Sequence, residues 1–425
     1  MNILFFKKKI KKNKINIFGS KSISNRVIII SSLCDKQITK IENLSNSEDT
    51  KIIINFLLKI NIKIYKKENF FYILGKVKKI KNKNTYLKNA GTVVRPIFFL
   101  SNFFTVRNIN ILGNLSMQKR TIKELNNISN RLGGKTLFLK KKGYIPSKNF
   151  KSKIKHKKVE INCFKSSQYA SSLLISLSVF KKRNFFCLKK ISSYFYILLT
   201  LKIIKLFKIK VKKKLKNKNI LIFTKGKYQS CKNITIENDF SSLSYFFLKL
   251  FFLKKKVFKF VSVTTQIYQG DIKILNCLKK IGFFFFKKNK IFFFFKKKKK
   301  KIKNLKINCK DIPDSSMSIT LLIFSKLKRI KIFNIRSWNF KESNRIFSIS
   351  NELKKIGCKI KRGKNWLIIK RYIFRKKNFF LKTYNDHRIL MCFFLIKKYF
   401  KNFFVCNPVC VKKTFENFIF EIMKF

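Results

Sequence analysis

Two hydrophobic rhythms alternate along the chain. Stretches with apolar residues three or four apart end near a glycine or a polar residue, and each is followed by a short apolar run, a polar turn and a second apolar run. The clearest copy has Ile346, Ile349, Leu353 and Ile356 at helical spacing and Gly357 as the stop. Cys358 to Ile360 and Trp366 to Ile369 then flank Arg362-Gly363-Lys364-Asn365. The pattern predicts a helix that runs into a β-hairpin. The coarsest copy sets Phe283 to Phe286 and Ile291 to Phe295 around Lys287 to Lys290, so these phenylalanine blocks are predicted hairpin strands. Five such junctions, at Asn61, Gly133, Lys208, Gly282 and Gly357, lie 72 to 75 residues apart. A sixth copy is split between the ends, strand-like over Ile3 to Phe18 and helix-like over Lys412 to Lys424. Residues 19–235 are therefore expected to form a central lobe, and residues 1–18 to join 236–425 in a second. Six units in two groups of three predict a two-lobed α/β protein of small sheets and buried helices, with ligands expected in a cleft between the lobes.

Charge changes this picture less than its size suggests. The 425 residues hold 101 Lys plus Arg against 17 Asp plus Glu, a net charge of +84, yet 46% are hydrophobic, which excludes a wholly disordered polycation. Only 13 of the cations are Arg, and the chain is crowded with Lys, Asn, Ile and Phe, all served by A- and T-rich codons. Most Lys runs therefore read as solvated surface, with non-specific RNA association as a side effect of charge. The longest charge-free stretches, such as Gln168 to Phe180, fall short of the roughly 18 apolar residues of a membrane span. Met1 to Phe18 lacks the apolar run and cleavage site of a secretory signal. Ten Cys without a C-x-x-C pair read as reduced core residues of a cytoplasmic protein.

Against this background the rare residue types stand out where they coincide. Gly19-Ser20-Lys21-Ser22 with Arg26, placed at a helix start, offers N–H groups, hydroxyls, an ammonium and a guanidinium to an anion, without the spacing of a Walker A loop. Asn89-Ala90-Gly91-Thr92 with Arg95-Pro96 is a second polar turn entering an apolar segment. Further clusters are Lys119-Arg120, Ser166-Ser167-Gln168-Tyr169, Ser193 with Tyr196, Asp311 to Asp314, Lys341-Glu342 with Arg345, Asp386-His387-Arg388 and Lys412-Lys413. Five of the 13 Arg fall inside these clusters, and where Lys is the default cation an Arg points to the planar fork that suits carboxylate and phosphate.

In this order, together with Gln269-Gly270-Asp271, Ile312-Pro313-Asp314 and Tyr384-Asn385-Asp386-His387-Arg388, the stretches closely resemble the 5-enolpyruvylshikimate-3-phosphate synthase family, from about Gly19 to Phe415. The resemblance implies transfer of the enolpyruvyl group of phosphoenolpyruvate to the 5-hydroxyl of shikimate 3-phosphate with release of phosphate, a shikimate-pathway step toward chorismate and the aromatic amino acids. It implies that Lys21, Ser22, Arg26, Ser166, Ser167, Gln168, Ser193, Tyr196, Asp314 and Lys341 bind shikimate 3-phosphate. Lys21, Asn89, Gly91, Arg120, Gln168, Arg345, Arg388 and Lys413 are implied for phosphoenolpyruvate, and glyphosate is implied as an inhibitor in that pocket. Asp314 matches the base, Glu342 the acid, and Lys21 a group able to share proton transfer. No metal or organic cofactor is expected, because the enol phosphate carries its own activated carbon, and a monomer is expected.

Departures from the family pattern are Thr121 after Arg120, Phe195 before Tyr196, Ser337 before Trp338 and Asn344 before Arg345. The sister enzyme that enolpyruvylates UDP-N-acetylglucosamine is expected to carry a Cys near Arg120, and Leu112 to Lys123 contains none. A basic nucleic-acid-binding protein is the alternative from another class, but it leaves Asp314 and Glu342 unexplained.

Overall fold

All five junction residues adopt the left-handed backbone that ends a helix: φ is +63° at Asn61, +95° at Gly133, +65° at Lys208, +84° at Gly282 and +92° at Gly357. The helices they stop are Glu48–Lys59, Lys123–Arg131, Tyr194–Leu206, Ile274–Lys279 and Arg345–Lys355. Each is followed by a pair of antiparallel strands, as the hydrophobic rhythm predicts. The phenylalanine blocks are the strands Phe283–Lys288 and Ile291–Lys296, paired through Phe286 and Phe293. The computed structural model describes residues 17–75, 84–103, 108–154, 158–177, 180, 183–252, 257–261, 263–264, 268–296, 302–325, 327–371 and 378–424. Strands expected within Ile3 to Phe18 lie outside these residues except for Ile17 and Phe18. The helix expected over Lys412 to Lys424 is instead a 3-10 turn, Pro408–Lys413, and a short helix, Phe418–Met423. Thr414, with φ of −131°, separates the two.

Four sheets share one topology. In each, two parallel strands lie beside the antiparallel hairpin, as in Asn84–Tyr86, Ile109–Leu112, Ser147–Phe150 and Lys135–Phe138. The strands Asn304–Asn308, Arg329–Phe333, Trp366–Lys370 and Lys359–Arg362 repeat that order. A loop then carries the first strand into a helix that is apolar almost all round and therefore buried. Two compact units result: Gly19–Ile236, and Glu237–Phe425 with the segment ending at Phe18.

In the first unit the helices Lys21–Ser32, Gly91–Phe103 and Gln168–Ile175 pack on one another. In the second, Ser316–Ile319 packs against both Phe240–Phe252 and His387–Phe394. These helices bury polar side chains as well as apolar ones, and the buried polar atoms are cross-linked. Ser24, for example, accepts from the Ser45 N–H at 3.0 Å, and Asn149 donates to the Phe98 carbonyl at 2.8 Å. No helix among the described residues is long and apolar enough to cross a membrane.

Candidate active site

Lys21, Ser22, Asn89, Gly91, Ser166, Ser167, Gln168, Asp314 and Arg388 sit at or beside the start of one of these buried helices. Ser193, Tyr196, Lys341, Glu342 and Arg345 instead lie in or just before two other helices, and Arg120 and Lys413 lie at no helix start. A helix N-terminus leaves N–H groups unpaired and carries the positive end of the dipole, so three starts brought together by helix packing favour anions.

In the Gly19–Ile236 unit, Lys21 opens the first helix with its ammonium 3.1 Å from the carboxylate of Asp49, which is buried near the start of Glu48–Lys59. Thr92 donates to Asp49 at 3.4 Å, Asn25 donates to Thr92 at 2.8 Å, and Thr50 donates to Asn25 at 2.9 Å. This chain ties the first helix start to the second. At the second, the Arg120 guanidinium donates to Asn89 at 3.3 Å, and Arg95 donates to the side-chain oxygen of Gln168, the first residue of the third helix. A methyl group at Gly91 would lie 2.7 Å from Arg95 Nη1 and 2.9 Å from Arg120 Nη1, so the absence of a side chain lets both guanidinium groups close over the turn. Ser166 and Ser167 lie beside Gln168, with the Ser166 hydroxyl accepting from the Gln168 N–H at 3.2 Å. Arg26 is buried one turn into the first helix and donates to Thr200 at 2.8 Å, Ser171 at 3.2 Å and the Ser22 carbonyl at 2.6 Å. Burial lowers its pKa to about 10. Ser193 and Tyr196 start the neighbouring helix Tyr194–Leu206, which carries Thr200.

The second unit gathers charges of both signs. Arg345 begins the helix Arg345–Lys355 and is 1% exposed. Its Nε donates to Asp386 at 2.8 Å, Nη1 to Asp314 at 2.9 Å and Nη2 to Glu342 at 2.9 Å. Burial alone would lower its pKa, and the three carboxylates, Asp386 foremost, raise it above the ordinary arginine value instead. Lys413 lies 3.0 Å from Glu342, while Lys341 lies 3.3 Å and Arg388 3.4 Å from Asp314. Lys341 has a lowered pKa, because burial outweighs the pull of Asp314. Arg388 also donates to Ser241 at 3.0 Å and Tyr245 at 3.3 Å. Helix starts again set the positions: Asp314 directly precedes Ser315, the N-cap of Ser316–Ile319, and Asp386 caps His387–Phe394 by accepting from the Arg388 N–H at 2.9 Å.

A family model described as EPSP synthase (3-phosphoshikimate 1-carboxyvinyltransferase) matches residues 7–422. The chain belongs to the EPSP synthase family. It is 36% identical over 415 residues to the 3-phosphoshikimate 1-carboxyvinyltransferase of Buchnera aphidicola subsp. Cinara cedri, covering 95% of this chain and 93% of that one. Against the enzyme of that name from Mannheimia succiniciproducens the identity is 30%, with 96% and 95% covered. The fold is shared with EPSP synthase from Acinetobacter baumannii at a TM-score of 0.74 and 18% identity, covering 97% of this chain and 96% of that one. The enolpyruvyl transferase NikO from Streptomyces tendae gives a TM-score of 0.71 at 10% identity, with 98% and 96% covered.

Two departures from the family pattern have local partners. Asn344 caps its helix by accepting from the Phe347 N–H at 3.2 Å, and Thr121 accepts from the Lys123 N–H at 3.1 Å. Sequence reasoning passed over Asp49, Ser241, Tyr245 and Glu237. Asp49 carried one usable signal, an acid in the first turn after the cap Ser47.

Glu237 is buried where the chain enters the second unit. Its carboxyl accepts the Tyr268 and Gln269 N–H groups at 2.7 and 2.8 Å, while burial pushes its pKa up to about 7. Below its unfolded value the group is protonated in both states, and between there and about 7 only the folded state keeps the proton. Stability therefore falls as pH rises through this window, by on the order of 3 kcal/mol. Asp271, pushed up to about 6 by burial first and Asp314 second, adds in the same direction. Glu237→Gln is expected to flatten the fall in melting temperature between pH 5 and 8, and an unchanged slope would remove Glu237 as its source.

Proposed function

We propose that this chain transfers the enolpyruvyl group of phosphoenolpyruvate to the 5-hydroxyl of shikimate 3-phosphate. The observation that carries the reading is the arrangement of Asp314 and Glu342, two carboxylates on one buried guanidinium with further cations on each. Asp314 takes the proton of the 5-hydroxyl as its oxygen bonds to C2 of phosphoenolpyruvate. Glu342 delivers a proton to the methylene carbon, giving a tetrahedral intermediate. Collapse breaks the C2–O bond to phosphate, and the methyl group returns a proton to Glu342. Phosphate departs with the proton held by Asp314.

Lys21, Ser22, Arg26, Ser166, Ser167, Gln168, Ser193, Tyr196 and Lys341 hold shikimate 3-phosphate. Lys21, Asn89, Gly91, Arg120, Gln168, Arg345, Arg388 and Lys413 hold phosphoenolpyruvate, whose charge grows on the departing phosphate where these cations are already placed. The protein acts as a cytoplasmic monomer. Phosphate release measured with each substrate alone and with both together tests the reading: release must require both, and indifference to shikimate 3-phosphate sinks it.

Glyphosate competes with phosphoenolpyruvate at the Asn89 to Thr92 turn. Because the methyl of Gly91→Ala would meet Arg95 and Arg120, the variant is expected to lose glyphosate affinity by about tenfold or more and phosphoenolpyruvate affinity by less. Inhibition measured at several phosphoenolpyruvate concentrations checks this, and a variant as sensitive as the parent would place the inhibitor elsewhere.

A further inference from the structure

The sheet of Lys158–Asn162, Arg183–Lys189, Asn219–Lys225 and Lys210–Lys216 has an outward face that the reaction does not use. Its edge strand, Lys-Val-Lys-Lys-Lys-Leu-Lys, puts Lys210, Lys212, Lys214 and Lys216 on one side, all exposed. Alternate residues repeat about every 6.8 Å along a strand, so the four ammonium groups form a ladder about 20 Å long. The register places Lys212 opposite Phe223, Phe223 opposite Phe185 and Phe185 opposite Lys158, a Lys-Phe-Phe-Lys row across all four strands. Phe223 is 39% exposed, and its ring centroid lies 4.9 Å from that of Phe185. The only acid in these strands, Glu160, is paired with Lys189 at 2.8 Å.

Lysines on an edge strand are sufficient to discourage pairing with other sheets, but that role needs no exposed Phe223 packed on a half-buried Phe185 beside them. Cations spaced along one line with an aromatic platform next to it fit a chain of phosphates whose bases are free to stack. A duplex keeps its bases stacked internally and leaves such a platform idle. We propose that this face binds single-stranded RNA, with the phosphates along the Lys210 to Lys216 ladder and the bases on Phe223 and Phe185. The net charge of +84 draws the strand in, and the platform distinguishes a strand with free bases from polyanions that carry none.

The test is fluorescence anisotropy of a labelled oligouridylate of about 12 nucleotides against the full chain over a range of salt, a length comparable to known single-strand sites. Four phosphate contacts predict a log–log salt slope of roughly −3. Lys212→Glu with Lys214→Glu should lower affinity about tenfold or more and flatten the slope by roughly 1.4. Lys359→Glu with Lys361→Glu, an equal change of charge on a strand of the other unit, should cost less than about threefold. Phe223→Ser should weaken the oligonucleotide about fivefold or more and leave inorganic polyphosphate binding unchanged. Melting curves and phosphate release report that each variant is folded. A control pair as damaging as the ladder pair, a silent Phe223→Ser, or displacement by duplex RNA as effective as by single-stranded RNA would each overturn the proposal.

Discussion

Asp314→Asn and Glu342→Gln are each expected to lower turnover by about two or more orders of magnitude, because each keeps shape and removes a group that must gain and lose a proton. The ion pairs around them predict how binding responds. Asp314 balances Lys341, Arg345 and Arg388, and Glu342 balances Arg345 and Lys413. Asp314→Asn leaves surplus positive charge beside two anionic substrates, and Glu342→Gln carries the charge of the protonated acid that starts the reaction, so KM should hold or fall while kcat collapses. That split separates loss of proton transfer from damage to the binding residues, which would raise KM. Steady-state kinetics with both substrates and a single-turnover rate decide it. Near-normal turnover in either variant removes that residue from its role.

Much of the fold was legible because its punctuation is local. A helix stop followed by a hairpin leaves its mark within about 25 residues, and all five stops fall on the left-handed residue. The sheets show why a run such as Phe283 to Phe286 was harder to read. Both faces of that strand carry phenylalanine, so the alternation that reports burial is absent from the sequence, while Phe283 is buried and Phe286 is 52% exposed in the structure.

The candidate site was legible as residues and not as contacts. Lys21, Gly91, Gln168 and Arg388 stood out as rare or polar residues at helix starts, which a linear pattern can show. The pairings join positions far apart: Lys21 to Asp49, Arg95 to Gln168, Asp314 to Arg388 and Arg345 to Asp386. No periodicity encodes such pairs, because they depend on which helix starts converge. Arg26 illustrates the limit. Its place in the first motif suggested an anion-binding fork, and nothing in the motif announced that three of its five N–H groups would be directed to Thr200, Ser171 and the Ser22 carbonyl. Asp386 stood out as part of a motif, yet nothing in the motif announced that it would hold the Nε of Arg345.

Arg345→Met is expected to be the most damaging single change to the second unit. One guanidinium, 1% exposed, serves Asp386, Asp314 and Glu342, and Asp386 is itself fully buried. Removing the cation takes the guanidinium from the buried Asp386, a loss of roughly 3 to 5 kcal/mol for a buried pair, while Asp314 keeps Lys341 and Arg388 and Glu342 keeps Lys413. In a unit of this size that corresponds to a melting temperature lower by about 10 °C. Arg345→Lys should recover little, since a single ammonium cannot reproduce the planar fork that reaches three acids in different directions. Asp386→Asn made in the Arg345→Met background should restore part of the stability by removing the stranded charge, although the same change alone destabilises. A double-mutant cycle measures this directly, and a coupling above about 1.5 kcal/mol is expected for so close a pair. Additive effects of the two substitutions, or an Arg345→Met protein that melts within a degree or two of the parent, would show that the carboxylates do not depend on this guanidinium.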